Sequence, residues 1–273
     1  MSSKSMINWK GDDYHYQVTG KGPAILLVHG FAEDSRVWDQ QVPHLSADFQ
    51  VITVDIPGSH ANSADSPPQA ASMEEFAEGL QAILDQEKID QAILIGHSMG
   101  GYISLAFAAQ FPDRLRAFGL FHSTALSDSE ERKTIRRRGI EFIQNNGAER
   151  FLEQSIPNLF SEDYKKANPA TVQACIRRYA PHLPPAALIR YYEAMIARPD
   201  RTTVLQTFPR PILFVLGRHD GTIPPDQLLP QTHLPAISVV EILEKSGHMG
   251  MLEETERTNA LLHRFCRDLV PNA

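Results

Sequence analysis

Short apolar runs recur along the chain without strict alternation of apolar and polar residues. Runs of this kind are typical of parallel strands that are buried on both faces. Ahead of them, Met6–Trp9 and Tyr14–Val18 predict a hairpin with its turn at Gly11-Asp12-Asp13. The runs are AILLVHG (24–30), VITVD (51–55), AILIG (92–96), FGLF (118–121), ILFVLG (212–217) and SVVEIL (238–243).

Helical patterns separate these runs. Ser72 begins the sequence S-M-E-E, a capping box in which Glu75 is the third helical residue. An apolar face with three-four spacing follows it. Strands that alternate with helices predict an α/β fold with a mostly parallel, doubly wound sheet and right-handed crossovers. Further helices are predicted from Asp34 or Ser35 through Leu45, over Tyr102–Gln110 and over Glu256–Leu269.

The alternation stops between about 123 and 205. This region has no good strand candidate, but it has helical stretches such as Thr134–Gln144 and Leu188–Ala197, with prolines between them. We therefore expect a core of residues 1–122 and 206–273, with residues 123–205 as a helical insertion between two strands.

Charge and composition exclude several classes of protein. A net charge of −7 over 273 residues argues against nucleic acid as a partner. Cys175 and Cys266 are far apart and lack metal-ligand spacing, and the N-terminus lacks an apolar run of signal-peptide length, so we expect a cytoplasmic protein. Residues 92–112 carry no charge, but their glycines, serines and histidine favour a buried strand and helix over a membrane span.

The segment ILIGHSMGGY (93–102) places Ser98 between Gly96 and Gly100, where an apolar run gives way to a helical pattern. A strand that turns sharply into a helix strains its corner residue and brings the neighbours close together, and glycine fits there because it lacks a Cβ. The corner side chain then projects beside the N–H groups that begin the helix. An ordinary glycine-rich turn also fits G-x-S-x-G, but the strand before it and the helix after it favour a nucleophilic serine.

A serine hydroxyl needs a base within hydrogen-bonding reach, and the base needs an orienting carboxylate. Both residue types follow later apolar runs, since Asp220 comes after ILFVLG and His248 comes after SVVEIL. The chain order Ser98, Asp220, His248 differs from that of the two main serine protease families.

Five segments, spread over nearly the full length of the chain, carry a resemblance to a known family. They are LLVHGF, D-I-P-G, GHSMGG, G-R-H-D-G-T-I-P and S-G-H-M. The chain resembles the α/β-hydrolase-fold serine hydrolases, in the branch of esterases and enol-lactonases with a helical lid. The resemblance implies Ser98 as the nucleophile, His248 as the general base and Asp220 as the acid that orients it. It also implies that residues 123–205 form a cap, or lid, over the site.

A tetrahedral intermediate needs two donors aimed at its oxygen. The backbone N–H of Met99, directly after the proposed nucleophile, is one candidate. Position alone makes the backbone N–H of Phe31, in the segment H-G-F, the second.

Three histidines are candidates for the substrate pocket. The resemblance implies that His29 braces the loop that carries the oxyanion donor. We expect His97 to be a packed, hydrogen-bonded neighbour of the serine. His122 ends a strand near the mouth of the pocket, where a structural role is favoured over contact with substrate.

Two further groups admit more than one interpretation. Asp128 follows the strand FGLF and rivals Asp220 as the orienting acid, although Asp220 lies in the better-matched segment. The run Arg136-Arg137-Arg138 could bind an anionic substrate or a carrier protein, but glutamates nearby at helical spacing favour a solvated, salt-bridged face.

One segment departs from the family pattern. The pattern D-x-P-G-x-G-x-S appears here as D-I-P-G-S-H-A-N-S over residues 55–63, without the second glycine and with the spacing shifted by one. We expect a different loop backbone beside the site and an unchanged triad.

These features predict a hydrolase of a small carboxylic ester that works through an acyl-enzyme and needs no cofactor or metal. A lactonase of the 3-oxoadipate enol-lactonase type, a carbon–carbon bond hydrolase or a perhydrolase could use the same triad. Dehalogenases and epoxide hydrolases fit less well, because they need an aspartate where Ser98 stands. A non-catalytic binding protein on this fold is the alternative from another class. The expected partner is a small ester or lactone, with no nucleic acid or membrane; the oligomeric state stays open.

Overall fold

The computed structural model describes residues 2–59 and 68–269. One sheet in these ranges contains eight strands: β1 (Ser2–Trp9), β2 (Asp12–Thr19), β3 (Ala24–Val28), β4 (Gln50–Asp55), β5 (Ala92–His97), β6 (Leu115–Phe121), β7 (Ile212–Gly217) and β8 (Ser238–Leu243). Their spatial order is β1-β2-β4-β3-β5-β6-β7-β8. The pairs β1–β2 and β2–β4 are antiparallel and all other neighbours are parallel, which confirms the predicted mostly parallel sheet.

Each of the six apolar runs forms a strand. Every residue of β3, β5 and β7 is buried, because helices cover the central strands on both faces. The edge strands β1 and β8 are partly exposed. The parallel strands bring their carboxyl ends to one edge of the sheet, and this edge carries the site described below.

The helices are α1 (Val42–Leu45), α2 (Met73–Gln86), α3 (Met99–Gln110), α4 (Glu130–Asn146), α5 (Ala148–Ser155), α6 (Glu162–Ala167), α7 (Pro169–Tyr179), α8 (Pro185–Ala197), α9 (Thr202–Thr207), α10 (Pro225–Leu228), α11 (Gly250–Glu253) and α12 (Thr255–Asp268). Short 3₁₀ turns cover Ser35–Trp38, Pro112–Arg114, Ile156–Leu159 and Leu229–Gln231. The predicted cap at Ser72 is confirmed, because Ser72 Oγ accepts from the Glu75 N–H at 3.2 Å. The Glu75 carboxylate accepts from the Ala71 N–H at 2.7 Å, one residue before the expected partner of a capping box. None of these helices is long and apolar enough to cross a membrane.

Two predicted elements were wrong in detail. The hairpin turns at Lys10-Gly11, where both residues have positive φ (52° and 91°), as the right-handed twist of two paired strands requires. The helix predicted through Leu45 is a 3₁₀ turn followed by the short α1. Pro43 lies in the first turn of α1, and its ring cannot be accommodated in the interior of one continuous helix.

The segment between β6 and β7 is helical, as predicted. It contains α4 to α9, and none of its residues, all of which are described, forms a strand. We call residues 123–205 the insertion; its limits as a separate domain stay a prediction. The insertion lies over the carboxyl edge of the sheet, since its side chains share a cavity with residues that follow β3, β5, β7 and β8.

Candidate active site

Ser98 lies at the corner where β5 turns into α3. Its backbone has φ 51° and ψ −113°, a combination that a residue with a Cβ adopts only under strain. The surroundings hold it there, because its N–H donates to the Phe121 carbonyl at 2.9 Å and its own carbonyl accepts from Ser123 Oγ at 2.7 Å. The side chain faces a cavity at the edge of the sheet.

The two glycines beside Ser98 allow this corner to form. A Cβ on Gly96 would lie 2.1 Å from the Gly100 carbonyl oxygen. A Cβ on Gly100 would lie 2.5 Å from the carbonyl oxygen of Val28 and 2.6 Å from that of His29. Both contacts are with backbone atoms, which cannot rotate away, so this packing admits only glycine at either position.

His248 and Asp220 meet at the same edge from the loops after β8 and β7. The Nδ1–H of His248 donates to Asp220 Oδ2 at 2.7 Å, and both side chains are buried. Asp220 Oδ1 accepts from the backbone N–H groups of Thr222 and Ile223, each at 2.8 Å. Burial alone would raise the pKa of the Asp220 carboxyl, but His248 and His122 beside it hold that pKa well below its usual range. Asp220 is therefore a fixed carboxylate that orients the ring of His248.

Ser98 and His248 line one cavity, although in the described part of the chain no hydrogen bond joins the Ser98 hydroxyl to the His248 ring. Such bonds are often long before substrate binds. The structure thus brings together Ser98, His248 and Asp220, the three residues that the chain order suggested.

The two candidate oxyanion donors also lie beside Ser98. Met99 is the first residue of α3, so its N–H has no acceptor within the helix. Phe31 lies in the loop after β3 and lines the cavity, and among the described residues its N–H has no backbone acceptor. The next residue, Ala32, has a positive φ of 63°, which turns this loop sharply.

His29 is fully buried behind that loop and does not line the cavity. Its Nδ1–H donates to the Gly30 carbonyl at 2.8 Å, and its Nε2 accepts from the Ile56 N–H at 3.0 Å. The ring therefore links the loop after β3 to the loop after β4.

His97 reaches the cavity wall and is bound on both sides. Its Nδ1 lies 2.9 Å from Glu33 Oε2, and its Nε2–H donates to the His248 carbonyl at 2.9 Å. Burial lowers the pKa of His97, but the Glu33 carboxylate outweighs that effect and the pKa is raised. Both ring nitrogens of His97 therefore face oxygen atoms, and the ring ties the loop of Gly30 and Glu33 to the backbone of His248. Sequence reasoning missed Glu33, because it is a polar residue in a polar loop.

His122 is fully buried and does not line the cavity, so it lies behind the site. Its Nδ1 is 3.3 Å from Asp220 Oδ2, and neither ring nitrogen has a hydrogen-bond partner among the described residues. Burial lowers the pKa of His122 to about 4, so the ring is neutral at pH 7. The ligand atoms of His122, Asp220 and His248 lie within 4.8 Å of one another, a set that could in principle hold a metal ion.

The structure places Asp128 away from His248. Its carboxylate pairs with Arg136 Nε at 2.5 Å and with Arg198 Nη2 at 2.9 Å. The favoured interpretation of the run Arg136-Arg137-Arg138 as a solvated face was therefore wrong for its first member. Only 11% of the Arg136 side chain is exposed, because Asp128 draws it inward, whereas Arg137 and Arg138 are exposed.

The cavity has a volume of about 350 Å³. The insertion supplies half of its wall, including several apolar side chains. One backbone contact of the insertion reaches His248 itself, since the His248 N–H donates to the Leu159 carbonyl at 2.7 Å. The wall consists of Phe31, Ala32, Glu33, His97, Ser98, Tyr102, Arg132, Ile135, Arg136, Ser155, Ile156, Asn158, Leu159, Tyr192, Met195, Gly221, Thr222 and His248.

The segment that departs from the family pattern is described only in part. Asp55 ends β4, and Gly58 has a positive φ of 91°. Residues 60–63 of this segment lie outside the described residues, so the expected change of the loop backbone stays a prediction.

Comparisons with known proteins support the fold described above. A family model for the alpha/beta hydrolase fold matches residues 23–136. A pimeloyl-[acyl-carrier protein] methyl ester esterase from Vibrio cholerae is 27% identical over 269 residues, which cover 94% of this chain and 96% of that protein. A solved structure of a thermophilic esterase from Thermogutta terrifontis, with malate bound, superposes with a TM-score of 0.90 at 29% identity, covering 98% of this chain and 99% of that one.

A third relative is longer than this chain. It is the dihydrolipoyllysine-residue acetyltransferase component of an acetoin cleaving system from Pseudomonas putida, 29% identical over 252 residues. The match covers 90% of this chain but 64% of that protein, so the chain spans just under two thirds of the relative's length. Taken together, the comparisons confirm the predicted fold and support a hydrolase.

Proposed function

We propose that this chain, which has the α/β-hydrolase fold, is a serine hydrolase that cleaves a small carboxylic ester through an acyl-enzyme. The observation that carries the proposal is the 2.7 Å bond between His248 and Asp220, made beside a strained serine that faces the same cavity. A serine in that position becomes nucleophilic when a histidine takes its proton.

In the first half of the proposed reaction, Ser98 Oγ attacks the ester carbonyl carbon while His248 Nε2 takes the hydroxyl proton. The backbone N–H groups of Phe31 and Met99 bind the resulting oxyanion, and each such donor contributes roughly 3 to 4 kcal/mol to a transition state of this kind. His248 then gives its proton to the leaving alcohol, and the acyl group stays on Ser98.

In the second half, His248 takes a proton from water, and the hydroxide attacks the acyl-enzyme. The carboxylic acid leaves and the proton returns to Ser98. Asp220 keeps the His248 ring in position throughout and stabilises its cationic form. The ion pair of His97 and Glu33 positions both the His248 backbone and the loop that carries Phe31.

We propose further that the insertion is a cap that shields the reaction from water and selects the substrate. Its apolar side chains in the cavity wall, among them Ile135, Ile156 and Met195, suit a small organic acyl or alcohol group. A lactone fits the same site, because a lactone is a cyclic ester and uses the same two half-reactions.

A fluorophosphonate probe tests the nucleophile, with intact mass as the readout. The wild type should gain one adduct and Ser98→Ala none. Ser155→Ala is the matched control, since Ser155 lines the same cavity without a histidine partner among the described residues, and it should still be labelled. Ser98→Ala should also lower kcat on a cleaved ester by about a million-fold, as in another serine hydrolase.

Two outcomes would contradict the proposal. Absence of an adduct on folded wild type would favour a non-catalytic binding protein. An adduct that persists in Ser98→Ala would assign the reactive group elsewhere. A panel of small esters and lactones then separates esterase from lactonase.

A further inference from the structure

Three arginines of the insertion converge beside the proposed active site. Arg132 and Arg136 lie on α4 and line the catalytic cavity. Arg198 follows α8, and its guanidinium lies 3.8 Å from the centroid of the Tyr102 ring. Tyr102 lies one helical turn beyond Ser98 on α3, so Arg198 contacts the helix that begins directly after the serine.

The charges in this cluster do not balance. Asp128 is the single carboxylate that pairs with both Arg136 and Arg198. The exposed fractions of these side chains are 2% for Asp128, 11% for Arg136 and 5% for Arg198. Two buried guanidinium groups therefore share one buried carboxylate, which leaves one positive charge in excess. The carbonyls of Met195 and Leu126 also accept hydrogen bonds from Arg198. The excess charge therefore falls on Arg136, which lines the cavity, and an anion bound in the cavity would balance it.

Arg132 adds a second positive charge to the same wall. Its guanidinium donates to the Thr222 carbonyl, and within residues 2–59 and 68–269 no carboxylate lies within ion-pairing distance of it. The other ionisable groups of the wall are already engaged. Glu33 pairs with His97, and His248 is bound to Asp220. The cavity is thus apolar and cationic on the side of the insertion, with a serine at its base.

We infer that the catalytic cavity binds a carboxylate group of the substrate at Arg136 and Arg132. The inference rests on the proposed hydrolase function and adds a substrate class to it: an ester that carries a second, ionised carboxyl group. A planar anion matches a guanidinium through two parallel hydrogen bonds. It also supplies the negative charge that Arg136 and Arg198 lack.

Matched substrate pairs test the inference. Monomethyl glutarate, which carries its carboxylate on the acyl side of the ester, is compared with methyl pentanoate. 4-Acetoxybutanoate, which carries its carboxylate on the alcohol side, is compared with butyl acetate. For wild type, kcat/KM should favour the charged member of at least one pair by roughly tenfold or more, because its carboxylate can accept charge-assisted hydrogen bonds from two guanidinium groups, whereas the methyl end of the neutral ester accepts none.

Substitutions of Arg136 and Arg132 test whether these residues cause the preference for the charged substrate. Arg136→Met should lower the ratio of the charged to the neutral substrate by roughly tenfold, and Arg136→Lys should restore part of it. Arg132→Met should lower the ratio as well. Arg137→Met removes an exposed arginine from the same helix and should leave the ratio unchanged. Thermal unfolding of each variant separates loss of recognition from loss of fold.

Binding provides a readout that does not depend on turnover. In a Ser98→Ala background, calorimetry should detect monomethyl glutarate or 4-acetoxybutanoate, and adding Arg136→Met should weaken that binding. A wild type that gains the fluorophosphonate adduct and cleaves both members of each pair equally would overturn this inference and leave the proposed hydrolase intact. Equal binding with and without Arg136 would also overturn it. Absence of the adduct would instead contradict the hydrolase, and the calorimetry would still decide whether Arg136 binds a carboxylate.

Discussion

Gly96 offers a direct test of the corner that presents Ser98. In Gly96→Ala the new Cβ would lie 2.1 Å from the Gly100 carbonyl oxygen, whereas real contacts of this kind start near 3.0 Å. The backbone must therefore move by about 1 Å, and a misplacement of about 1 Å at a reacting group lowers the rate by about a hundredfold. Overpacking of a rigid site costs about 1 to 3 kcal/mol, and contact with backbone puts this variant at the upper end. At about 2 to 4 °C per kcal/mol, the unfolding temperature should fall by roughly 6 to 12 °C.

The assay combines ester hydrolysis with thermal unfolding followed by circular dichroism. Gly221→Ala is the control for unfolding, because a Cβ there meets no atom within 4 Å and its φ is not positive. It should leave the unfolding temperature of the wild type unchanged. A Gly96→Ala variant with the kcat/KM and unfolding temperature of the wild type would refute the argument that packing against Gly100 requires glycine at this corner.

Three further predictions concern Asp220, His122 and Ser72. Asp220→Asn removes the charge that stabilises the cationic His248, so kcat should fall by about 10⁴-fold, by analogy with a serine protease, with the fold retained in circular dichroism; an activity within tenfold of wild type would contradict the role of Asp220. Burial lowers the pKa of His122 to about 4, against about 6.5 when unfolded, so the folded chain binds fewer protons between these values and loses stability as the pH falls from about 6.5 to about 4. The variant His122→Asn has no titrating side chain at this position, and asparagine tolerates the φ of 48°. Between these two pH values its free energy of unfolding, measured with urea, should change by about 3 kcal/mol less than that of the wild type. Equal changes in the two proteins would refute this. Ser72→Ala removes the cap of α2 and should lower the free energy of unfolding by about 1 kcal/mol in the same assay, whereas no change would show that the cap bond contributes nothing.

Local chemistry explains why much of the fold could be predicted. The runs AILLV and ILFVLG form β3 and β7, which are buried on both faces. Apolar residues can therefore stand at successive positions, and the runs are recognisable without an alternation of apolar and polar residues. Ser72 and Glu75 are close in the chain, so the cap at Ser72 could be recognised directly. Asp220 and His248 follow strands, and parallel strands bring their carboxyl ends to one edge whatever their separation in sequence.

Most of the features that could not be predicted from the sequence depend on contacts between segments that are distant in the chain. Arg136 has a helical neighbourhood rich in glutamate, which predicts exposure, but Asp128 and the ring of Tyr192 hold it inward, and Tyr192 is 56 positions further along the chain. Glu33 acquires its role only when β5 delivers His97 to it. The turn at Lys10-Gly11 was misplaced because several residues beside it also suit turns.

The bond from the His248 N–H to the Leu159 carbonyl limits how the chain can be recombined with its relatives. The insertion looks like a module that could be exchanged to change substrate preference while the core keeps its chemistry. Its Leu159–Ser161 stretch, however, also holds the loop of the base, because Ser161 Oγ donates to the Lys245 carbonyl at 2.9 Å and its N–H donates to Glu253. A chimera that replaces this stretch would exchange part of the catalytic scaffold along with the specificity. A chimera that keeps His248 in place should therefore retain residues 156–161 of this chain, with its two junctions placed before and after them.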